Sequence, residues 1–195
     1  RMIVETFKII GDLFANLHIY MLNRIHKTSL KYRRVVHNNY RKFVMLVLVS
    51  TIPTGLIGII GKGLVSAAGQ TLLIPGICLL MTGVLLLIAD TTREGHKLPR
   101  QVTYKNGLLI GAAQGLATLP GLSRSGTTIA VCLLLGMDRR FAVKYSFILS
   151  ITAVLGAALL EVKDVIAEPV KASQIGVYAI GMVFAAVVGY ICIKT

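Results

Sequence analysis

Five long apolar runs in a chain of 195 residues constrain this sequence more than any other feature. They lie at 3–22, 43–60, 72–89, 143–160 and 175–193. Each is close to the ~20 residues that cross a ~30 Å hydrocarbon core as a helix. The first is the most interrupted, by Glu5, Lys8, Asp12 and His18. A single run of this kind is ordinarily a buried core helix, but five leave too little polar surface to cover a soluble core. Composition agrees. Charged residues make up 15% and hydrophobic residues 55%, against roughly 25% charged in soluble domains. The expected fold class is an all-α membrane protein with several transmembrane helices, read as one integral membrane domain over 1–195. Disorder is excluded.

The chain nevertheless carries 21 Lys+Arg against 8 Asp+Glu, a net charge of +13. The distribution of that charge separates nucleic-acid binding from membrane topology. Connection 23–42 holds Arg24, Lys27, Lys31, Arg33, Arg34, Arg41 and Lys42 and no acidic residue. Connection 90–106 holds Arg93, Lys97, Arg100 and Lys105, and 137–142 holds Arg139 and Arg140. By contrast, 61–71 holds only Lys62, and 161–174 balances Lys163 and Lys171 against Glu161, Asp164 and Glu168. Short loops rich in Lys and Arg remain cytoplasmic. Charge dealt out loop by loop is therefore topological, and a nucleic-acid surface is not expected. Anionic lipid headgroups are the natural neighbours of such loops.

The segment 107–136, GLLIGAAQGLATLPGLSRSGTTIAVCLLLG, has basic residues on both flanks. Pro120-Gly121 and the polar stretch after it break any single helix. Two arms of about a dozen residues, each ~18 Å long, reach half-way through a bilayer. The pattern predicts a re-entrant hairpin whose tip is near 120–125, a non-helical backbone that needs protein or a wet cavity around it. Gly107, Gly111 and Gly115, at four-residue spacing, predict a groove for another helix. Gln114 either satisfies a backbone group or lines a site.

Arg124 is placed at that tip, among Ser123, Ser125, Thr127 and Thr128. An arginine at membrane depth needs a partner or water. One candidate partner is an intramembrane carboxylate, for which Glu5 and Asp12 are the options. The other is an anionic ligand. With Ser125 or Thr127 as the expected N-cap of the second arm, free backbone N–H groups, the helix dipole, hydroxyls and a planar cation would converge on one spot. That set suits a phosphate or diphosphate. These residues alone do not separate hydrolysis from transport, since transporters also hold substrates between broken helices.

Pro120-Gly121-Leu122-Ser123-Arg124-Ser125-Gly126-Thr127-Thr128 resembles the P-G-x-S-R-S-G-x-T signature of the undecaprenyl-diphosphate phosphatases of the bacitracin-resistance (BacA/UppP) family. Ile110-Gly111, Gln114, Leu133-Leu134-Leu135-Gly136 and Tyr145-Ser146-Phe147 extend the likeness. It implies an inverted-repeat fold in the bacterial cytoplasmic membrane. The implied activity removes the terminal phosphate of a C55 isoprenoid diphosphate, regenerating the carrier of cell-wall precursors, with a site that opens outward. Arg124 would bind the diphosphate, with Ser123, Ser125 and Thr128 contacting or orienting it. Gly121, Gly126, Thr127 and Gln114 are the further substrate-binding candidates. A divalent cation, Mg2+ or Ca2+, is implied, with no ligands identifiable in this stretch. Partners on this reading are the isoprenoid diphosphate and membrane lipids, with a second copy of the chain left open.

The family's other signature, E-x-x-x-E followed by P-x-S-S-x-G-H, has no counterpart in these residues. The resemblance leads us to expect it in a segment before Arg1, with a last helix after Thr195. The alternative functions are an inverted-repeat lipid or ion transporter and a non-catalytic lipid-diphosphate binder. Gly121-Leu122-Ser123-Arg124-Ser125 lacks the final glycine of a nucleophile elbow. No phosphate-binding P-loop or dinucleotide fingerprint is present. Cys78, Cys132 and Cys192 stand singly in apolar segments and read as buried hydrophobes.

Overall fold

The computed structural model describes residues 2–26, 31, 35–36, 38–93, 95–167 and 172–194. Those residues form eight helices: α1 (Met2–His26), α2 (Asn39–Ile60), α3 (Lys62–Gly69), α4 (Leu73–Thr91), α5 (Tyr104–Leu116), α6 (Arg124–Leu134), α7 (Arg139–Ala167) and α8 (Ala172–Lys194). Four segments are long and apolar enough to cross a membrane: Asn39–Ile60, Leu73–Thr91, Arg139–Leu159 and Ile175–Cys192. This is an all-α, polytopic membrane protein. Its isolated surface displays Ile52, Leu56 and Ile59 on α2 and Leu79, Leu80 and Leu87 on α4. Apolar faces of that extent require lipid to cover them. α1 is 25 residues long but is not among the four, since Glu5, Lys8, Asp12, Asn16 and His18 dilute its apolar residues.

Local chemistry sets the helix ends. Asn38 caps α2 by accepting from the Arg41 amide at 2.9 Å. Thr103 caps α5 by accepting from the Asn106 amide at 3.2 Å. The Asp138 carboxylate accepts from the Phe141 amide at 2.9 Å at the start of α7. α6 ends at Gly136, φ +78°. There the Gly136 amide bonds to Leu133 O at 2.8 Å and the Met137 amide to Cys132 O at 3.1 Å. This paired closure requires a left-handed residue, which glycine adopts freely.

Residues 1–154 and 155–195 form two units. The second comprises the end of α7 and all of α8, whose described side chains are almost all exposed and mostly apolar. In the first unit the core joins Leu46 and Val47 of α2, Ile110 of α5, Ala130 and Leu133 of α6, and Ala142 and Leu149 of α7. Phe43, Phe141 and Tyr145 complete it as a cluster of tilted and edge-on rings, with centroids 5.8–5.9 Å apart.

α2 starts earlier than the apolar run predicts, so Arg41 and Lys42 belong to a helix and not to a loop. Arg41 is buried, donating to Glu5 at 3.0 Å and to Asp12 at 2.7 Å on α1, and to Val35 O at 3.1 Å. Lys42 caps the Tyr104 ring at 3.4 Å. Lys27, Arg33, Arg34, His37, Glu168 and Lys171 lie outside the described residues.

Removing Arg41 leaves two carboxylates, each about 20% exposed, without their shared cation. Glu5 keeps Lys8 at 3.6 Å, so the loss is only part of what an uncompensated buried charge costs. Arg41→Gln should therefore lower the melting temperature of the folded protein. Glu5→Gln/Asp12→Asn/Arg41→Gln together should recover part of that loss. Thermal melts in detergent check both, and equal melting of Arg41→Gln and the unaltered protein would contradict them.

Candidate functional site

The hairpin forms as two helices, α5 and α6, of 13 and 11 residues. At 1.5 Å per residue they are about 20 and 17 Å long, each too short for the ~30 Å core. Their outer ends are stitched together. The Lys97 amide donates to Gly136 O at 3.1 Å, the Asp138 amide to Lys97 O at 3.2 Å, and Lys97 Nζ to Leu135 O at 2.8 Å. The chain thus enters and leaves the hairpin at one end, as the basic flanks predict.

The arms are held from two sides. Gly107, Gly111 and Gly115 face α2, as their spacing predicts. A Cβ at Gly111 would lie 2.0 Å from Ser50 O, and one at Gly115 would lie 2.7 Å from Ile57 Cβ. Ser50 Oγ donates to Gly107 O at 2.6 Å and Thr54 Oγ1 to Gly111 O at 2.8 Å, so hydroxyls cross the close contact. α7 holds the other side. Gln114 Nε2 of α5 donates to Leu149 O at 3.2 Å, while Tyr145 Oη ties α7 to α2 by donating to Leu46 O at 2.9 Å. Gln114 is fully buried and its Oε1 has no partner among the described residues. It satisfies a backbone carbonyl, the first of its two expected roles.

The tip, 117–123, is positioned by α4. Gly121 has φ +92°, and a Cβ there would lie 2.2 Å from Pro75 O. Left-handed backbone and contact with a carbonyl both require glycine. Thr82 of α4 donates from Oγ1 to Cys78 O at 3.0 Å and to Gly121 O at 3.3 Å, and accepts from the Ser123 amide at 3.0 Å. Ser123 is therefore held extended (φ −69°, ψ 109°) and becomes the N-cap, its Oγ accepting from the Gly126 amide at 3.2 Å. This corrects the expected cap at Ser125 or Thr127. α6 starts at Arg124 because the tertiary bond from Thr82 fixes the residue before it. Gly126 packs against the cap hydroxyl and Leu86, where a Cβ would lie 2.9 and 3.3 Å away.

Arg124 consequently occupies the first helical position, half-buried. Its guanidinium has no hydrogen bond or ion pair among the described residues. Glu5 and Asp12, the carboxylates weighed as its partners, bind Arg41 instead. The amides of Arg124 and Ser125 have no protein acceptor among the described residues, as befits the first turn of a helix. The Ser125 hydroxyl is likewise unengaged, and the Ser123 hydroxyl, although accepting, keeps its own proton to donate. Buried Thr127 Oγ1 has no partner among the described residues. Thr128 differs. It is fully buried, bonded to Arg124 O and Ser125 O at 3.0 Å each and closely to Ser146 Oγ on α7. It fastens the first turn of α6 to α7, so it orients the turn from beneath.

The site thus offers a planar cation, two amides at the positive end of a helix dipole and two hydroxyl donors. It offers no base. Among the described residues no three His, Cys, Asp or Glu side chains gather to hold a metal. The donors at this turn are cationic or neutral, so they do not fit a divalent cation.

A family model described as bacitracin resistance protein BacA matches residues 3–195. The chain belongs to the BacA family. An undecaprenyl-diphosphatase of Methanosphaera stadtmanae is 40% identical over 79% of the chain and 55% of its own length. One from Alkaliphilus metalliredigens is 44% identical over 67% of the chain and 48% of its own length. One from Methanothermobacter thermautotrophicus is 42% identical over 76% of the chain and 83% of its own length. The chain spans about half the length of the first two relatives.

Two contributors to this BacA-family site have no site role in the sequence expectations: Thr82, and Ser146, which enters there only within the Tyr145-Ser146-Phe147 likeness. Thr82 had a signal. It is a hydroxyl in the middle of an otherwise apolar span, where a polar group needs a partner. Ser146 stands between Tyr145 and Phe147, and only the packing of α7 on α6 reveals its partner.

Proposed function

We propose that this chain supplies the diphosphate-binding part of a membrane phosphatase that converts undecaprenyl diphosphate to undecaprenyl phosphate in the bacterial cytoplasmic membrane. The observation that carries this reading is Arg124, half-buried and unpaired among the described residues, at the first position of a helix whose leading amides are also free. A guanidinium kept from carboxylates and aimed with a helix dipole is arranged for a multiply charged anion. Family membership and the names of the relatives select a lipid diphosphate from among such anions.

The net reaction is a hydrolysis in which the anhydride P–O bond breaks, with the OH of a water ending on the terminal phosphorus and its remaining proton on the departing monophosphate or in solvent. Inorganic phosphate and the lipid monophosphate leave. The residues of this chain bind and orient. Arg124 spans two phosphate oxygens with parallel N–H donors. The Arg124 and Ser125 amides and the Ser123 and Ser125 hydroxyls cover the remaining acceptors. Because the turn is fixed by α4 and α7, these donors need little reorganisation as charge shifts onto the departing oxygens.

Phosphate release from farnesyl diphosphate by the full-length protein in detergent tests the reading. Catalytic release is expected. Tight binding with no release over many hours would instead favour a lipid-diphosphate binder or transporter.

A further inference from the structure

The signature turn is built with help from α4, a helix outside the signature. Pro75, Cys78, Thr82 and Leu86 recur at three- and four-residue steps and so share one face of α4. Each bears on the turn or on Thr82. Pro75 O abuts Gly121, Cys78 O accepts from Thr82, and Leu86 Cδ2 lies 3.3 Å from a Cβ placed on Gly126. Thr82, only 8% exposed, is the polar point on this face.

Its hydroxyl joins three backbone positions. Its proton is shared between Cys78 O at 3.0 Å and Gly121 O at 3.3 Å. Its lone pairs accept the Ser123 amide at 3.0 Å. The residue before Arg124 thus has its N–H fixed by α4, while its own hydroxyl caps α6. Without that acceptor the Ser123 amide lacks a partner at membrane depth, and the turn must rotate to find one. Any such rotation carries Arg124 with it, since the two are adjacent.

We infer that Thr82 is a positioning residue for the anion site: through the Ser123 amide it fixes the direction in which Arg124 and the free first-turn amides point. The inference rests on the phosphatase reading for its kinetic consequence but not for its structural one. Thr82 acts on how the charge is aimed and touches no substrate, so its loss should fall on kcat more than on KM.

The test uses the full-length protein with Thr82→Val, which keeps the shape and removes the hydroxyl. Thr82→Ala is a second hydroxyl-free variant, and Thr82→Ser restores the hydroxyl without the methyl group. Two measurements are made on each: phosphate release from farnesyl diphosphate, and amide hydrogen exchange over 119–126. Losing one neutral hydrogen bond scales to a drop of about three- to tenfold. Thr82→Val and Thr82→Ala should show that drop in kcat with KM nearly unchanged, and faster exchange in this peptide. Thr82→Ser should recover both. In an Arg124→Ala background, Thr82→Val should cost almost nothing more, because the positioned group is gone.

Unchanged exchange in both hydroxyl-free variants would overturn the inference, whatever the activity. So would a full additional loss in the Arg124→Ala background, or failure of both hydroxyl-free variants to fold while Thr82→Ser folds, which would make the hydroxyl a general structural support. If the unaltered protein releases no phosphate, the phosphatase reading fails by itself. The exchange data still decide whether Thr82 holds the turn.

Discussion

In the full-length protein, on the proposed phosphatase reading, Arg124→Ala should lower phosphate release from an isoprenoid diphosphate by about 10²-fold or more, the scale of losing a preorganised electrostatic donor. The guanidinium has no protein partner among the described residues, so removing it strands no carboxylate. The variant should therefore stay folded. That separates the effect from a structural one, because an arginine in a structural ion pair would show lost stability when deleted. Arg124→Lys should recover only part of the rate, since an ammonium lacks the planar two-pronged contact. Ser125→Ala should cost much less, removing one neutral hydroxyl worth roughly 0.5–1.5 kcal/mol net. Phosphate release measured beside a thermal melt and a gel-filtration profile decides the matter. A well-folded Arg124→Ala protein with near-normal turnover would remove Arg124 from the anion site.

How far the sequence leads depends on whether a feature is local. Apolar runs are local, and the helices over 43–60, 72–89 and 175–193 appear within four residues of their expected bounds, while the one over 143–160 runs on to Ala167. The break at Pro120 and the groove of Gly107, Gly111 and Gly115 are also local, being consequences of missing donors and missing side chains. The N-cap of α6 is not. Four hydroxyl residues at 123, 125, 127 and 128 compete for that role, and the choice of Ser123 is made by Thr82, 41 residues away.

Arg41 shows the same limit in another form. By composition it belongs with the loop charges before it, because no periodicity marks whether a residue ends a loop or opens a helix. Its place in α2, bonded to Glu5 and Asp12, depends on how α1 meets α2. That one contact also changes the reading of Arg124, for it occupies the two carboxylates that sequence reasoning held available. The anion site becomes legible only when the pairing of a distant arginine is known.

The small-residue groove supplies the largest expected change in stability. Along α5 the space at the three glycines differs in kind. At Gly107 a Cβ would lie 3.4 Å from Ser50 Oγ and 3.5 Å from Leu46 Cδ2, ordinary or slightly tight contact with side chains. At Gly115 it would meet the side chain of Ile57, at 2.7 Å from Cβ and 3.1 Å from Cγ2. At Gly111 it would lie 2.0 Å from Ser50 O and 2.7 Å from both Ser50 C and Pro53 Cγ. Ile57 Cβ and the Ser50 carbonyl both move only with α2, but the overlap at Gly111, at 2.0 Å, is deeper than the one at Gly115, at 2.7 Å. Gly111→Ala must therefore push α5 away from α2, breaking the Thr54 bond to Gly111 O and straining the Ser50 bond to Gly107 O. Overpacking of this kind costs 1–3 kcal/mol and more when backbone must shift. A helix-propensity gain of roughly 0.8–1 kcal/mol for Gly→Ala does not offset it. Gly111→Ala should thus lose about 3 kcal/mol or fail to fold. Gly115→Ala should lose less, and Gly107→Ala should be near neutral because its propensity gain meets little resistance. Thermal melts of the three variants in one detergent give the order. Equal melting of Gly111→Ala and Gly107→Ala would show that α2 and α5 do not meet backbone to backbone at Ser50, and the support of the hairpin would have to be sought elsewhere.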